Sequence, residues 1–168
     1  MISVKDYCET NTYVEICTEE CQDIYANSAL KGLKRLSSRK KGKYFERLYQ
    51  EYAKSLGSVV EKPVNSGHDR IVDGRKKEIK GSFLWGNGTH FRWQQIRPSQ
   101  DYDDVIFIAL YPDRIEFYEA DKKTVKNIVE TKNDHGEWVH NQHGGKKVNS
   151  GTFFLDGFPC DYPWMKNV

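Results

Sequence analysis

Two carboxylates and a lysine stand close together in the segment SGHDRIVDGRKKEIKGS, residues 66–82. Asp69 comes first, and Glu78 and Lys80 follow it by nine and eleven residues. Carboxylate oxygens are the ligands that Mg²⁺ prefers, and a neighbouring ammonium group can orient a water molecule or offset charge on a phosphate. These residue types together suit metal-assisted hydrolysis of a phosphodiester bond.

The dipeptide Asp73-Gly74 predicts how these side chains are brought together. Both central positions of a two-residue hairpin turn need positive φ, which this dipeptide tolerates. The sequence therefore predicts antiparallel strands at 69–72 and 75–82. In that register Asp69 lies directly opposite Glu78, so the two carboxylates converge on one face of the hairpin. Asp73 is interpreted as a turn residue, directed away from them.

Strand alternation then assigns the neighbouring residues of the same strand. Side chains two apart share a face, so Lys80 is predicted on the face that carries Glu78. Ile79 points the other way, toward a core, and its backbone carbonyl is a further candidate metal ligand. Two opposed carboxylates repel each other, so the pair needs Lys80, a divalent metal or a shared proton to be stable.

The flanking sequence predicts the elements that hold this hairpin. Phe45, Tyr49, Tyr52 and Leu56 recur at the spacing of one helical stripe, which ends at Gly57. Further predicted elements are strands at 58–64, 104–110 and 114–120, a short helix that begins at 91 and stops at Pro98, and a helix at 121–129. The strand at 104–110 is continuously apolar, which indicates burial on both faces. Together they predict an α/β fold, a central mixed β-sheet flanked by helices.

At these residues the sequence resembles the PD-(D/E)XK nuclease superfamily, whose motif pairs an acid with a later acid-any-lysine triplet. Asp69 and Glu78-Ile79-Lys80 match that motif, while His68 replaces the usual preceding proline. Glu46 matches the acid that a preceding helix often contributes. The resemblance covers roughly residues 42–129, and the chain looks most like a type II restriction endonuclease. It implies a restriction-endonuclease-like core.

The resemblance also implies an activity and its residues. It implies an Mg²⁺-dependent endonuclease, with Mn²⁺ able to substitute, that cuts double-stranded DNA as a homodimer. Asp69, Glu78 and the Ile79 carbonyl would bind the metal, Lys80 would assist the attacking water, and Glu46 would support them. A Holliday junction resolvase of the same superfamily is the nearest alternative. An alternative from another functional class is a DNA-binding module without catalysis. If the residues have no function, Asp69, Glu78 and Lys80 form an exposed cross-strand charge cluster.

Several polar side chains are candidates for contacts with DNA. Gln94, Gln95 and Arg97 could read base edges, contact the backbone, or form an ordinary polar helix face. The segment 134–147 contains three histidines, for which a zinc site, an HNH-like metal motif, a DNA-contacting loop and a solvated loop all remain open. The predicted DNA-binding residues are Lys43, Arg70, Arg92, Gln94, Gln95, Arg97, His140 and Lys146.

Length and composition predict the class of protein. With 168 residues and 38% hydrophobic residues, the chain is expected to fold as one domain, with 130–168 contacting DNA or forming a dimer interface. The net charge of +2 does not by itself indicate nucleic acid, but 31–43 is a cationic stretch without acids. Neither a membrane span nor a secretion signal is expected, and the four cysteines are expected to be reduced, so the predicted compartment is the cytoplasm.

Overall fold

A mixed β-sheet with a few helices forms the described part of the chain, residues 23–85, 88–142 and 151–168 of a computed structural model. This confirms the predicted α/β fold class. The elements in chain order are α1 (Lys31–Lys34), α2 (Ser38–Ser55), β1 (Val60–Glu61), β2 (Arg70–Val72), β3 (Arg75–Trp85), β4 (His90–Ile96), β5 (Asp104–Leu110), β6 (Ile115–Asp121), α3 (Lys122–Val129), β7 (Phe153–Gly157), a 3₁₀ turn (Pro159–Asp161) and β8 (Lys166–Asn167).

The strands run in the order β1-β2-β3-β5-β6-β8. Only β3 and β5 are parallel along this path, paired from Lys77 with Asp104 to Phe83 with Leu110. Every residue of β5 is buried, as its continuous apolar sequence predicts. β4 pairs with the last two residues of β3 and then with β7, so it leaves the main sheet. Among the described residues, no helix is long and apolar enough to cross a bilayer.

The predicted amphipathic helix is α2, which begins at Ser38, earlier than the predicted stripe. Its buried stripe consists of Phe45, Tyr49 and Ala53. These side chains pack on one face of β3 and β5 together with Ile79, which confirms that Ile79 points to a core. The opposite face of the sheet packs against β4, β7 and α3, so the sheet separates two apolar clusters.

Gly81 allows α2 to approach β3 closely, one residue after Lys80. A Cβ atom at this position would lie 2.5 Å from the Phe45 ring. Gly81→Ala is therefore expected to lower the free energy of unfolding by about 1–3 kcal/mol, because the ring or the helix must move. Gly42→Ala is the matched control, since a Cβ atom there meets nothing within 4 Å. Chemical denaturation checks both variants, and an unchanged midpoint for Gly81→Ala would contradict this packing.

Two predicted elements are corrected. The short helix predicted from 91 up to Pro98 is wrong, because 90–96 is the strand β4, whose alternating Phe91 and Trp93 are buried. Its pairing partner β7 lies about sixty residues later, beyond the reach of a local pattern. The strand predicted at 58–64 is reduced to Val60 and Glu61. Cys160 is an exposed free thiol, and the other three cysteines lie outside the described residues.

Candidate active site

The hairpin turn has the predicted backbone conformation. Asp73 and Gly74 have φ angles of 49° and 78°, the two positive values that this turn type requires. The predicted register is confirmed where β2 and β3 pair, with Val72 opposite Arg75 and Arg70 opposite Lys77. The turn sequence therefore sets the register of the strand that carries Glu78 and Lys80.

The register changes at Asp69, which corrects the predicted pairing. Asp69 lies just before β2, and its backbone N–H bonds to the carbonyl of Lys77, so Asp69 does not directly oppose Glu78. Its carboxylate instead accepts a hydrogen bond of 2.8 Å from the backbone N–H of Ile79. The buried His68 steadies this bend through a 3.0 Å contact between its Nδ1 and the carbonyl of Asp101. Asp69 thus lies outside the paired part of β2, and its side chain contacts β3 at Ile79, next to Glu78.

Glu78 and Lys80 share one face of β3, as alternation predicts. Their ion pair has an N–O distance of 2.5 Å, and the side chains are only 7% and 16% exposed. Burial raises the pKa of Glu78, Lys80 opposes that change, and the charge of Asp69 raises it further. Glu78 is therefore a carboxylate whose ionised form gains from a second nearby cation.

Glu46 approaches the same place from α2. Its carboxylate pairs with Arg70 at 2.9 Å, and Arg70 also bonds to Gln50 at 3.0 Å. Burial raises the pKa of Glu46, the charge of Asp69 raises it further, and Arg70 opposes both effects. The negative charge of Asp69 thus raises the pKa of both Glu46 and Glu78.

The candidate ligands fit Mg²⁺ only if the protein supplies few of them and water supplies the rest. Among the described residues, no three His, Cys, Asp or Glu side chains are grouped closely enough to hold a metal by themselves. Asp69 and Glu78 supply two carboxylates. A residue in a strand presents its N–H and C=O on the same edge, so the Ile79 carbonyl faces the edge where its N–H meets Asp69. Two carboxylates, one carbonyl and retained water match the ligation that Mg²⁺ accepts.

An open edge of β3 lies beside this group. β2 pairs with β3 only at 75–77 and β4 pairs with it only at 84–85, while β5 covers the other side from 77 to 83. Within the described ranges, residues 78–83 therefore have a strand neighbour on one side only. A cleft of about 890 Å³ follows this edge, with Lys80 in its lining and with the first turns of α2 and part of β4 as its walls.

The cleft is cationic. Its described lining contains five basic side chains and one acid, Asp23. Lys34 pairs with Asp23 at 2.6 Å, whereas Arg39 and Lys41 form no ion pair with a described residue. Burial and the charge of Lys34 lower the pKa of Lys41, so an anion in the cleft would stabilise its charged form. The cationic stretch was visible in the sequence, but not which of its residues face the cleft.

The predicted DNA-contacting residues fall in different places. Arg92, Gln94 and Gln95 line the cleft, although Arg92 is paired with Asp156 at 2.6 Å. Arg97 is exposed and donates to the side chain of Gln95.

The other four predicted DNA contacts lie away from the cleft lining or outside the described residues. Arg70 is paired with Glu46 and bonded to Gln50, and Lys43 is exposed outside the cleft lining. His140 packs against Phe154, and Lys146 lies outside the described residues.

A β-bulge explains how two consecutive glutamines line one cleft. The register of β4 with β7 shifts between Trp93 and Ile96, and Gln95 has a φ of 60°. Its backbone N–H donates to the side chain of Gln142 at 2.7 Å. Neighbouring residues of a regular strand point to opposite faces, so Gln94 and Gln95 reach the same cleft only because of this bulge.

The positive φ of Gln95 predicts a gain in stability on substitution. Gln95→Gly is expected to raise the free energy of unfolding by about 0.5–1 kcal/mol, because left-handed backbone costs a non-glycine residue about 1–2 kcal/mol. Gln94→Gly, one residue earlier in the same strand, is expected to lower it by about 0.5–1 kcal/mol. Urea denaturation of both variants checks this, and equal losses of stability would rule out strain at Gln95.

Comparisons with known proteins add little to these observations. No protein-family model matches the sequence, and no curated protein matches it. Among solved structures, the chain is similar to the bacterial homing endonuclease I-Ssp6803I, with 19% sequence identity and a TM-score of 0.43. The match covers 52% of this chain and 67% of that one. A similarity of this size concerns part of the fold alone and assigns no role to any residue.

Proposed function

We propose that the protein is a metal-dependent endonuclease that hydrolyses phosphodiester bonds in double-stranded DNA. One observation carries this proposal: at the unpaired edge of β3, Asp69 accepts from the Ile79 N–H and Glu78 pairs with Lys80, which also lines a cationic cleft. The carboxylates suit Mg²⁺, with Mn²⁺ as a substitute. The cations of the cleft suit the phosphates of a nucleic acid backbone.

The chain's own residues divide the work of hydrolysis among them. Asp69, Glu78 and the Ile79 carbonyl would hold the metal, whose chemistry when bound would be to activate a water molecule and to offset negative charge on the phosphate. Lys80 orients the attacking water or stabilises the charge that develops on the phosphate. Glu46 keeps Arg70 in place and thereby supports the bend at Asp69, whose carbonyl accepts a bond from Arg70.

The finer proposal is a type II restriction endonuclease acting as a homodimer, which the sequence motif supports. A Holliday junction resolvase uses the same chemistry on a different DNA structure. Incubation with unmethylated plasmid and with a four-way junction, in Mg²⁺ and in EDTA, separates these. Discrete plasmid fragments formed only with Mg²⁺ support a restriction enzyme, whereas preferred junction cleavage supports a resolvase. No metal-dependent cleavage of either DNA would contradict an endonuclease.

The raised pKa of Glu78 predicts how metal binding depends on pH. Glu78 must lose its proton to bind a cation, and burial places its pKa above the ordinary value of 4.5. Below that raised pKa, Mg²⁺ affinity is expected to fall by up to about tenfold for each pH unit, because metal and proton compete. Calorimetric titration from about pH 5 to 8 checks this. Glu78→Gln should remove the dependence together with most of the affinity, and an unchanged profile would exclude Glu78 as a ligand.

A further inference from the structure

Trp85 is the most unusual side chain along the cleft. It ends β3, lines the cleft and is 47% exposed, whereas Trp93, on the neighbouring strand β4, is fully buried. Aromatic side chains are enriched in binding interfaces relative to the rest of a protein surface, and Trp85 lies in a concave cationic one. The proposed hydrolysis at Lys80 makes no use of Trp85.

The indole of Trp85 is held from behind. The guanidinium of Arg92 lies over its ring at 5.5 Å and over the Phe154 ring at 5.2 Å. Two hydrogen bonds of 2.6 Å fix that guanidinium to both carboxylate oxygens of Asp156. Trp85 is nevertheless 47% exposed, so part of its ring remains accessible to a flat partner. Contact with a fixed guanidinium restricts the side chain, which lowers the conformational entropy that stacking costs.

We propose that Trp85 is a stacking site for a nucleobase displaced from the duplex, so that DNA with an unpaired base at this site binds more tightly than fully paired DNA. This inference rests on the proposed nuclease function and adds a binding site for its substrate. The cations of the cleft attract a phosphodiester strand, and every base offers a π-face to an aromatic ring. A base inside an intact duplex is covered by its neighbours and cannot stack on Trp85.

Binding without metal tests this site independently of cleavage. Duplexes carrying one unpaired 2-aminopurine at successive distances from a fixed nick are titrated with wild type, Trp85→Ala and Trp85→Phe in EDTA. Trp85→Ala is expected to bind the DNA with an unpaired base at least about tenfold more weakly and the fully paired duplex equally well. Trp85→Phe should retain most of the affinity. Tyr44→Ala is the matched control, because Tyr44 is 52% exposed but lies outside the cleft lining.

The outcomes distinguish this inference from the proposed function. Equal binding by wild type and Trp85→Ala, or an equal loss on paired and unpaired DNA, would overturn the stacking site even if the protein cuts DNA. A selective loss would support the site even in a protein that does not cut. Quenching of tryptophan fluorescence by unpaired DNA in wild type, and not in Trp85→Phe, would identify Trp85 as the stacked ring.

Discussion

Lys80→Met is expected to slow DNA cleavage by about 10²- to 10³-fold, the usual cost of removing one group that stabilises developing charge. The lysine lies beside Glu78 at 2.5 Å and lines the cleft, so its ammonium can reach both the metal ligands and a bound phosphate. Methionine keeps most of the volume of the side chain and removes the charge together with its hydrogen-bond donors. Mg²⁺ binding should persist because the carboxylates remain.

Lys76→Met is the matched control for this change. Lys76 belongs to the same strand, but its ammonium pairs with Asp101 at the surface, away from the cleft. Cleavage by Lys76→Met should stay within about twofold of wild type, since surface ion pairs contribute little. If Lys80→Met cut DNA at the wild-type rate, Lys80 would have no catalytic role. If it also lost Mg²⁺ binding, Lys80 would act by holding Glu78 in place.

Asp104→Asn is expected to cause the largest loss of stability, about 3 kcal/mol or more in the free energy of unfolding. The side chain of Asp104 is 3% exposed and forms ion pairs with Lys77 and Arg75, at N–O distances of 2.7 Å and 2.6 Å. Lys77 is itself only 5% exposed and has Glu119 as its second partner at 3.0 Å. Removing the charge of Asp104 leaves the buried ammonium of Lys77 beside a neutral amide, whereas Arg75, which is 56% exposed, can turn to solvent. Thermal and chemical denaturation measure the loss.

The ion pairs of Asp104 also predict how the free energy of unfolding depends on pH. Burial would raise the pKa of Asp104, but the hydrogen bonds from Arg75 and Lys77 outweigh burial and hold it below its usual value. A lowered pKa contributes stability above the unfolded value of about 3.9, and that stability is lost as the pH falls through the folded value. Wild type should therefore lose stability below about pH 4 more steeply than Asp104→Asn.

Asp103→Asn controls for the change from acid to amide. Asp103 is the exposed neighbour of Asp104, and its side chain accepts from the backbone N–H of Lys76, a bond that asparagine can also accept. Its stability should stay within about 0.5 kcal/mol of wild type. A similar small effect for Asp104→Asn would mean that Lys77 and Arg75 find other partners, and the buried network would then contribute no stability.

Local patterns predicted the parts of the fold that local forces determine. The positive φ angles at Asp73-Gly74 follow from the residue types, and they set the strand register that places Lys80 beside Glu78. The continuous apolar sequence of β5 likewise predicted a fully buried strand, and the apolar spacing in α2 predicted a helix buried along one side. Each of these features depends on residues that are close in sequence, which is why periodicity and turn chemistry are sufficient to predict them.

Features formed by distant segments were not predictable in this way. Asp69 leaves the ladder because the preceding loop is tied to Asp101 through His68. β4 is a strand because β7 pairs with it, and the bulge at Gln95 is closed by Gln142. The Trp85 stack needs Asp156 of β7 to hold Arg92. Such contacts are set by the tertiary fold, which overrides local propensity.

The most direct test of the account compares two identical substitutions in one hairpin. Asp69→Asn removes the charge proposed to bind the metal while retaining an acceptor for the Ile79 N–H, and Asp73→Asn makes the same change at the turn. The measurement is the rate at which each variant cuts one long DNA in Mg²⁺, with EDTA as the blank. We expect wild type and Asp73→Asn to cut at similar rates and Asp69→Asn to be slower by about 10³-fold or more. Equal cleavage by Asp69→Asn and Asp73→Asn, or no cleavage by wild type, would contradict the proposed active site.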